Sequence, residues 1–285
     1  GGVNVLIPNP RDLDGTIKEI AKYKFHVFPG VNTLFNGLNN HPEFAKLDFD
    51  QLRIANGGGM AVQEAVAKKW LEITGCPICE GYGLSETSSG VTCNPTDTDA
   101  YSGTIGLPMP NVDIKILDDD GNDVALGEPG EIAIRGPQVM AGYWQRPDAT
   151  DEVMTPDGFF KSGDVGIMDA QGYTKIVDRK KDMILVSGFN VYPNEIESVA
   201  VGCEGVDEAA CVGVPDKSSG EAVMLFVTRT DPNLTDKAVR DYCAAELTGY
   251  KKPKHVRFVD EMPKTNVGKI LRRELRDAAV KEMEV

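Results

Sequence analysis

Apolar residues in this chain come in short bursts, and the spacing inside the bursts changes along its length. Residues 3–7 form an apolar run closed by Pro8-Asn9-Pro10 and predict a buried strand. Leu13, Ile17, Ile20 and Ala21 then recur at helical spacing, with Asp12 or Asp14 available as a cap, and predict a helix over 13–23. The same reasoning gives strands at 25–28 and 52–55 and helices at 31–38 and 61–73. Strands alternating with helices imply a mostly parallel sheet covered by helices, with ligands at the carboxyl ends of the strands.

Beyond Asn94 the texture changes. Residues 112–117 and 131–135 alternate apolar and polar around turn clusters, as in antiparallel sheet or a small barrel. Residues 157–181 read as two short strands joined by glycine turns, with Asp164 in one turn. This stretch ends in the charged run Asp178-Arg179-Lys180-Lys181-Asp182, read as a surface joint. A mixed pattern follows, with helices at 194–201, 236–246 and 270–282 and strands at 209–214, 223–228 and 256–259. The predicted class is α/β, with a larger domain over 1–180, combining a parallel α/β sheet and a small antiparallel subdomain, and a small α+β domain over 181–285.

Composition narrows the function classes. The chain of 285 residues is 41% apolar and 26% charged, typical of a globular protein, and has no apolar run long enough for a membrane span. A net charge of -14 argues against nucleic acid as a partner, since phosphate backbones are held by surplus Lys and Arg. Six scattered cysteines suggest reduced thiols, and Cys76-Pro-Ile-Cys79 reads as buried packing in preference to a redox or zinc pair. The expected localisation is cytoplasmic, with peripheral contact at the inner membrane face as a second option. No oligomeric state is marked.

Three stretches carry candidate chemistry. Asn56-Gly57-Gly58-Gly59-Met60 follows a predicted strand and opens a helix, where glycines admit a flat or anionic ligand to the backbone. It matches neither a dinucleotide fingerprint nor a P-loop. In residues 81–88, Tyr82 can stack on a base, Ser85 and Thr87 can bond phosphate, and Glu86 can hold Mg²⁺ on it. Near the end, Lys269 is presented by a turn on Thr265-Asn266-Val267-Gly268, in a tail of ten Lys or Arg against six Asp or Glu from Gly249 onward. A solvated helix end would account for Arg272, Arg273 and Arg276.

Taken in order, these stretches resemble the acyl-adenylate-forming family of acyl-CoA synthetases and luciferase-like enzymes, and within it the bacterial long-chain fatty-acid CoA ligases. Residues 130–143 and 187–197 extend the likeness. Residues 157–181 are similar to the family's fatty-acyl signature, departing from it at Phe159, Lys161, Ser162, Met168 and Ala170, which loosens the chain-length inference. The resemblance implies a fatty acid, ATP with Mg²⁺, and CoA as substrates and cofactors. It implies that Tyr82 stacks on adenine against Gly58-Gly59, with Gly83 and Thr87 in the same nucleotide loop. Ser85 would contact the α-phosphate, Glu86 would ligate Mg²⁺, and Asp164 with Arg179 would hold the ribose. Lys181 would be a hinge, Lys269 would bridge carboxylate and α-phosphate, and Gly188 and Phe189 would line a CoA channel. The resemblance further implies that the family's phosphate loop and first sheet lie upstream of Gly1, so that this chain does not turn over alone. Alternatives are a non-catalytic nucleotide-binding relative and a ligase for aryl or shorter acids.

Overall fold

The computed structural model describes residues 1–265 and 268–283, so Asn266 and Val267 of the lysine-bearing turn lie outside the described residues. Two compact units emerge, one of Gly1–Ser162 with Gly166–Ile176, the other of Gly163–Val165 with Val177–Val285.

In the first unit a five-stranded sheet has the order β1 (Val27–Gly30), β2 (Ile54–Gly57), β3 (Ile78–Tyr82), β4 (Thr92–Cys93) and β5 (Leu107–Pro108). The first three strands are parallel, as the alternation with helices requires, whereas β4 and β5 run antiparallel. The helices are α1 (Leu13–Ile20), α2 (Asn32–Asn39) and α3 (Glu64–Thr74). Asp12 caps α1, its carboxylate accepting the Gly15 N–H at 2.9 Å. Gly75 ends α3 in the left-handed conformation, φ 69°. Phe28, Phe35, Phe44 and the wholly buried Trp70 form the centre of this core, with Phe35 edge-on to Trp70 at 4.8 Å.

The predicted strand over 3–7 does not form: these residues are irregular, and Val3 and Leu6 are exposed. A strand needs a neighbour to take its backbone hydrogen bonds, and residues 3–7 pair with none among the described residues.

A second sheet runs β6 (Asp113–Leu117), β7 (Gly130–Arg135), β8 (Phe160–Met168) and β9 (Thr174–Arg179), and the helix α4 (Pro147–Val153) precedes β8. Asp164 lies in the body of β8, not in a turn as expected. Gly163 has φ 74°, so its glycine signal marks an irregularity within a strand. The turn is at 169–172, where Asp169 accepts the Gln171 and Tyr173 N–H groups.

The other unit is built on the antiparallel β10 (Ile184–Val186), β11 (Phe189–Val191), β12 (Val206–Asp216) and β13 (Gly220–Arg229), with β14 (His255–Phe258) parallel to β13. Successive residues of β12 and β13 face opposite cores. Cys211, Leu225 and Val227 meet α5 (Pro193–Ala200) and α6 (Asp236–Glu246), while Val212, Met224 and Phe226 meet α7 (Arg272–Met283). Burial on both faces explains why these strands read as continuous apolar runs.

Trp70→Ala removes the largest side chain of the first core. We expect a loss of about 3–5 kcal/mol, measured by denaturant unfolding followed by circular dichroism. A loss below about 1 kcal/mol would contradict the placement of Trp70 at the core centre.

Candidate functional site

In the first unit the glycine-rich stretches lie at the carboxyl ends of neighbouring parallel strands. Gly58 and Gly59 follow β2, with Gly59 at φ 76°, and the Asn56 side-chain amide donates to the Cys79 carbonyl at 3.2 Å. A Cβ at Gly58 would touch the Gly81 carbonyl oxygen at 3.4 Å, so these two strand ends run side by side. Tyr82 ends β3. At Gly83 a Cβ would fall 1.3 Å from the Ser89 carbonyl oxygen, so only glycine lets the chain fold back there.

Ser85–Thr87 form one turn of 3₁₀ helix. Thr87 is wholly buried, and its hydroxyl takes the Leu84 N–H and donates to the Leu84 carbonyl, both at 3.0 Å. It therefore locks the loop, while Ser85 stays exposed beside it. Glu86 is placed by a residue that sequence reasoning missed. The Tyr143 hydroxyl donates to Glu86 Oε1 at 3.0 Å, and the Met140 N–H donates to the Glu86 carbonyl at 2.7 Å. Tyr143 sits within the resembling stretch 130–143, but nothing local pairs it with a residue 57 positions earlier. One carboxylate with an oxygen left beside the Tyr143 bond fits Mg²⁺, which commonly takes one or two carboxylates and completes its shell with phosphate and water. Beneath these loops Glu80 is buried, its Oε1 accepting the Val62 N–H at 3.0 Å, and burial raises its pKa to about 7. Cys76 and Cys79 are buried and burial raises both thiols, which leaves them as packing groups.

In the second unit the Arg179 Nε lies 3.3 Å from a carboxylate oxygen of the buried Asp164. The expected surface joint is only partly one: Asp178 is buried, accepting the Arg179 N–H at 2.7 Å and the Asn194 N–H at 2.8 Å. Burial raises Asp178 to about 6, against these two donors. Lys181 is exposed, in a short turn over Lys180–Asp182. Lys269 follows Gly268 at φ 83°; its N–H donates to the Thr265 hydroxyl and its carbonyl takes the Thr265 N–H. It is half-buried, and burial, then Arg179, lowers its pKa, with Asp164 acting in the opposite sense. Arg272 is not solvated as expected. Its guanidinium forks onto both Glu197 oxygens at 2.9 and 2.6 Å and bonds Asn194 Oδ1 at 2.8 Å. Gly188, φ 85°, turns the chain between β10 and β11, and the exposed Phe189 stacks on Tyr250 with centroids 4.6 Å apart.

Two family models match, that of the AMP-binding enzymes over residues 1–144 and that of the AMP-binding enzyme C-terminal domain over residues 195–269. The chain belongs to the AMP-binding enzyme family. Among curated relatives it is 58% identical over 279 residues to a long-chain-fatty-acid–CoA ligase of Escherichia coli O157:H7 and 60% identical over 279 residues to one of Salmonella typhimurium. Each match covers 98% of this chain and 50% of the relative, so the chain spans about half their length. A feruloyl-CoA synthase of Amycolatopsis is 36% identical, over 96% of this chain and 56% of its own. Among solved structures, ATP-bound MatB from Rhodopseudomonas palustris superimposes with a TM-score of 0.88 at 33% identity, covering 95% of this chain and 54% of that one. The anthranilate CoA ligase AuaEII, in complex with anthranoyl-AMP, gives 0.90 at 29%, covering 100% and 56%. The α/β class expected from the sequence is thus the fold of adenylate-forming enzymes. Among the described residues no helix is long and apolar enough to cross a membrane.

Glu80 makes stability pH-dependent in a stated direction. The folded state holds its proton more tightly than the usual 4.5 allows, so burial carries no ionic penalty below about pH 4.5. The penalty grows as pH rises and is complete above about 7, on the order of 3 kcal/mol. Glu80→Gln keeps an acceptor for the Val62 N–H and cannot ionise. We expect the variant to gain stability at about pH 8 and to match the parent at about pH 4, measured by chemical denaturation. Equal stability at both pH values would refute an ionising, buried Glu80.

Proposed function

We propose that the chain is the carboxy-terminal half of an ATP-dependent acid–CoA ligase that works in two half-reactions on a fatty acid. In the first, a carboxylate oxygen attacks the α-phosphorus of ATP, the bond to pyrophosphate breaks, and an acyl-adenylate forms. In the second, the CoA thiol loses its proton and attacks the acyl carbonyl carbon, and the bond to AMP breaks to leave the thioester. The observation that carries this reading is Lys269, half-buried beside Asp164 and Arg179, in a chain 58% and 60% identical to long-chain-fatty-acid–CoA ligases.

In this reading Tyr82 stacks on the adenine over Gly58-Gly59, Gly83 lets the loop approach the nucleotide, and Ser85 meets the α-phosphate with Thr87 locking the loop beneath it. Asp164 accepts the ribose hydroxyls, and Arg179 holds that carboxylate in place. Glu86 would hold Mg²⁺, which supplies charge neutralisation on the phosphates. An anion attacking an anion faces repulsion, and fixed cations facing the charge of the transition state lower that barrier. Lys269 is that cation. The thiol step does not use it, so the domain over 181–285 swings about Lys181 and brings Gly188 and Phe189 to the CoA arm. The acid is long-chain, in keeping with the similarity to long-chain-fatty-acid–CoA ligases, and the setting is cytoplasmic, with peripheral contact at the inner membrane face as a second option.

Lys269→Ala in a polypeptide of the relatives' full length is expected to lower acid-dependent exchange of pyrophosphate into ATP by roughly 10² to 10³. Thioester formation from a supplied acyl-adenylate should change little. Unaltered exchange would remove Lys269 from adenylation. Nucleotide binding without any exchange in the parent would favour a non-catalytic relative. A panel of long-chain, medium-chain and aryl acids in the same assay tests the acid class.

A further inference from the structure

Lys269 stands three residues before Arg272, and Arg272 is the first residue of α7. Each end of the lysine-bearing segment is anchored. At one end Lys264 pairs with Glu208 on β12 at 2.7 Å, and at the other Arg272 is fixed by its fork on Glu197 and its bond to Asn194. Between them the Leu271 N–H donates to the Pro263 carbonyl at 2.8 Å and Lys264 bridges Ile270.

Asn194 gives this anchoring a second reach. Its side-chain oxygen accepts from Arg272, its N–H donates to Asp178, and its side-chain amide donates to the Val177 carbonyl at 3.3 Å. Asp178 in turn accepts the N–H of Arg179, the residue paired with Asp164. One partly buried polar chain therefore runs from the segment holding Lys269 to the pair that would grip the ribose. A staple for the small core alone would need the Arg272–Glu197 pair but not the branch through Asn194 and Asp178.

We propose that Arg272, Glu197 and Asn194 are positioning residues that hold Lys269 in register with Arg179 and Asp164 for the adenylation step. This rests on the ligase reading above for its function, though not for its geometry. A planar guanidinium is required, because an ammonium can neither fork on Glu197 nor reach Asn194 at the same time. Misplacing a reacting group by about 1 Å costs on the order of 10² in rate, so loss of the fork should appear in turnover more than in substrate affinity.

The test has two arms, using Arg272→Lys and Glu197→Gln. In this chain, amide hydrogen exchange at Gly268, Lys269 and Leu271 should rise about tenfold or more in both variants, while the amides of β12 and β13 keep their protection, Cys211 excepted because its N–H bonds Glu197 directly. In a full-length polypeptide containing the chain, kcat for pyrophosphate exchange should fall about 10- to 100-fold, with the ATP KM changed less than about threefold. Thioester formation from a supplied acyl-adenylate should stay within about twofold of the parent. Unchanged exchange at 268–271, loosening of β12 and β13 as well, or an equal fall in both half-reactions would each overturn the proposal. A parent that exchanges no pyrophosphate at all defeats the ligase reading, and the amide-exchange arm still decides whether the network holds the Lys269 segment.

Discussion

A charge taken out of water must be met by donors or a counter-charge, and this requirement decides how the elements of the second unit can lie. Its apolar cores lie on both faces of β12 and β13. Glu197 on α5 takes the Arg272 fork and also the N–H of Cys211 on β12 at 2.7 Å. With Asn194 on the same helix holding Asp178 of β9, four elements share one register. A buried ion pair adds little net stability, because desolvation offsets most of the attraction, but removing one partner leaves an uncompensated charge.

The first unit meets a different constraint, the close approach of backbone to backbone. Gly83 against Ser89 and Gly106 against Cys93 leave no room for a side chain. The loop over 84–90 is then stitched to residues 138–143 by the Ser88 hydroxyl on the Gln138 carbonyl, the Gln138 amide on the Gly90 carbonyl, and the two bonds to Glu86. The direction of the Glu86 carboxylate is therefore set by a segment remote in sequence. Tight turns bring the loop to the strand ends, and distant hydrogen bonds aim its side chains.

The sequence made some of this legible and hid the rest for identifiable reasons. The helix predicted over 236–246 appears with the same limits, because Thr235 caps it by accepting the Ala238 N–H and its apolar spacing is regular. Helix and strand positions in both units were readable to within a few residues, and the glycines and Tyr82 of the candidate site lie at strand ends as alternation predicts. The strand over 3–7 failed because pairing is a property of two segments, and hydrophobicity reports only one. Asp164 was misplaced because a glycine before it signals a turn equally well as an irregular strand. The run at 178–182 looked solvated because charge is visible in a sequence, whereas the donors that let Asp178 be buried come from a helix further on. Tyr143 and Arg272 escaped for the same reason: each acts through a partner more than fifty residues away.

The local field around Lys269 follows from that hidden network. Of the cations near it, Arg272 is neutralised by Glu197, while Arg179 shares the single carboxylate of Asp164. Burial, Arg179, Arg272 and Lys181 lower the affinity of Lys269 for its proton, and Asp164 opposes them. Charges of both signs thus meet around Lys269 in a half-buried setting, where interactions are less screened than in water. Such a field holds a lysine poised to gain from an incoming anion, and it favours most the species with the highest negative charge. In the adenylation proposed above that species is the transition state, in which carboxylate and phosphate charge are brought together. A network that fixes Arg272 and Arg179 therefore also fixes the charges that Lys269 faces.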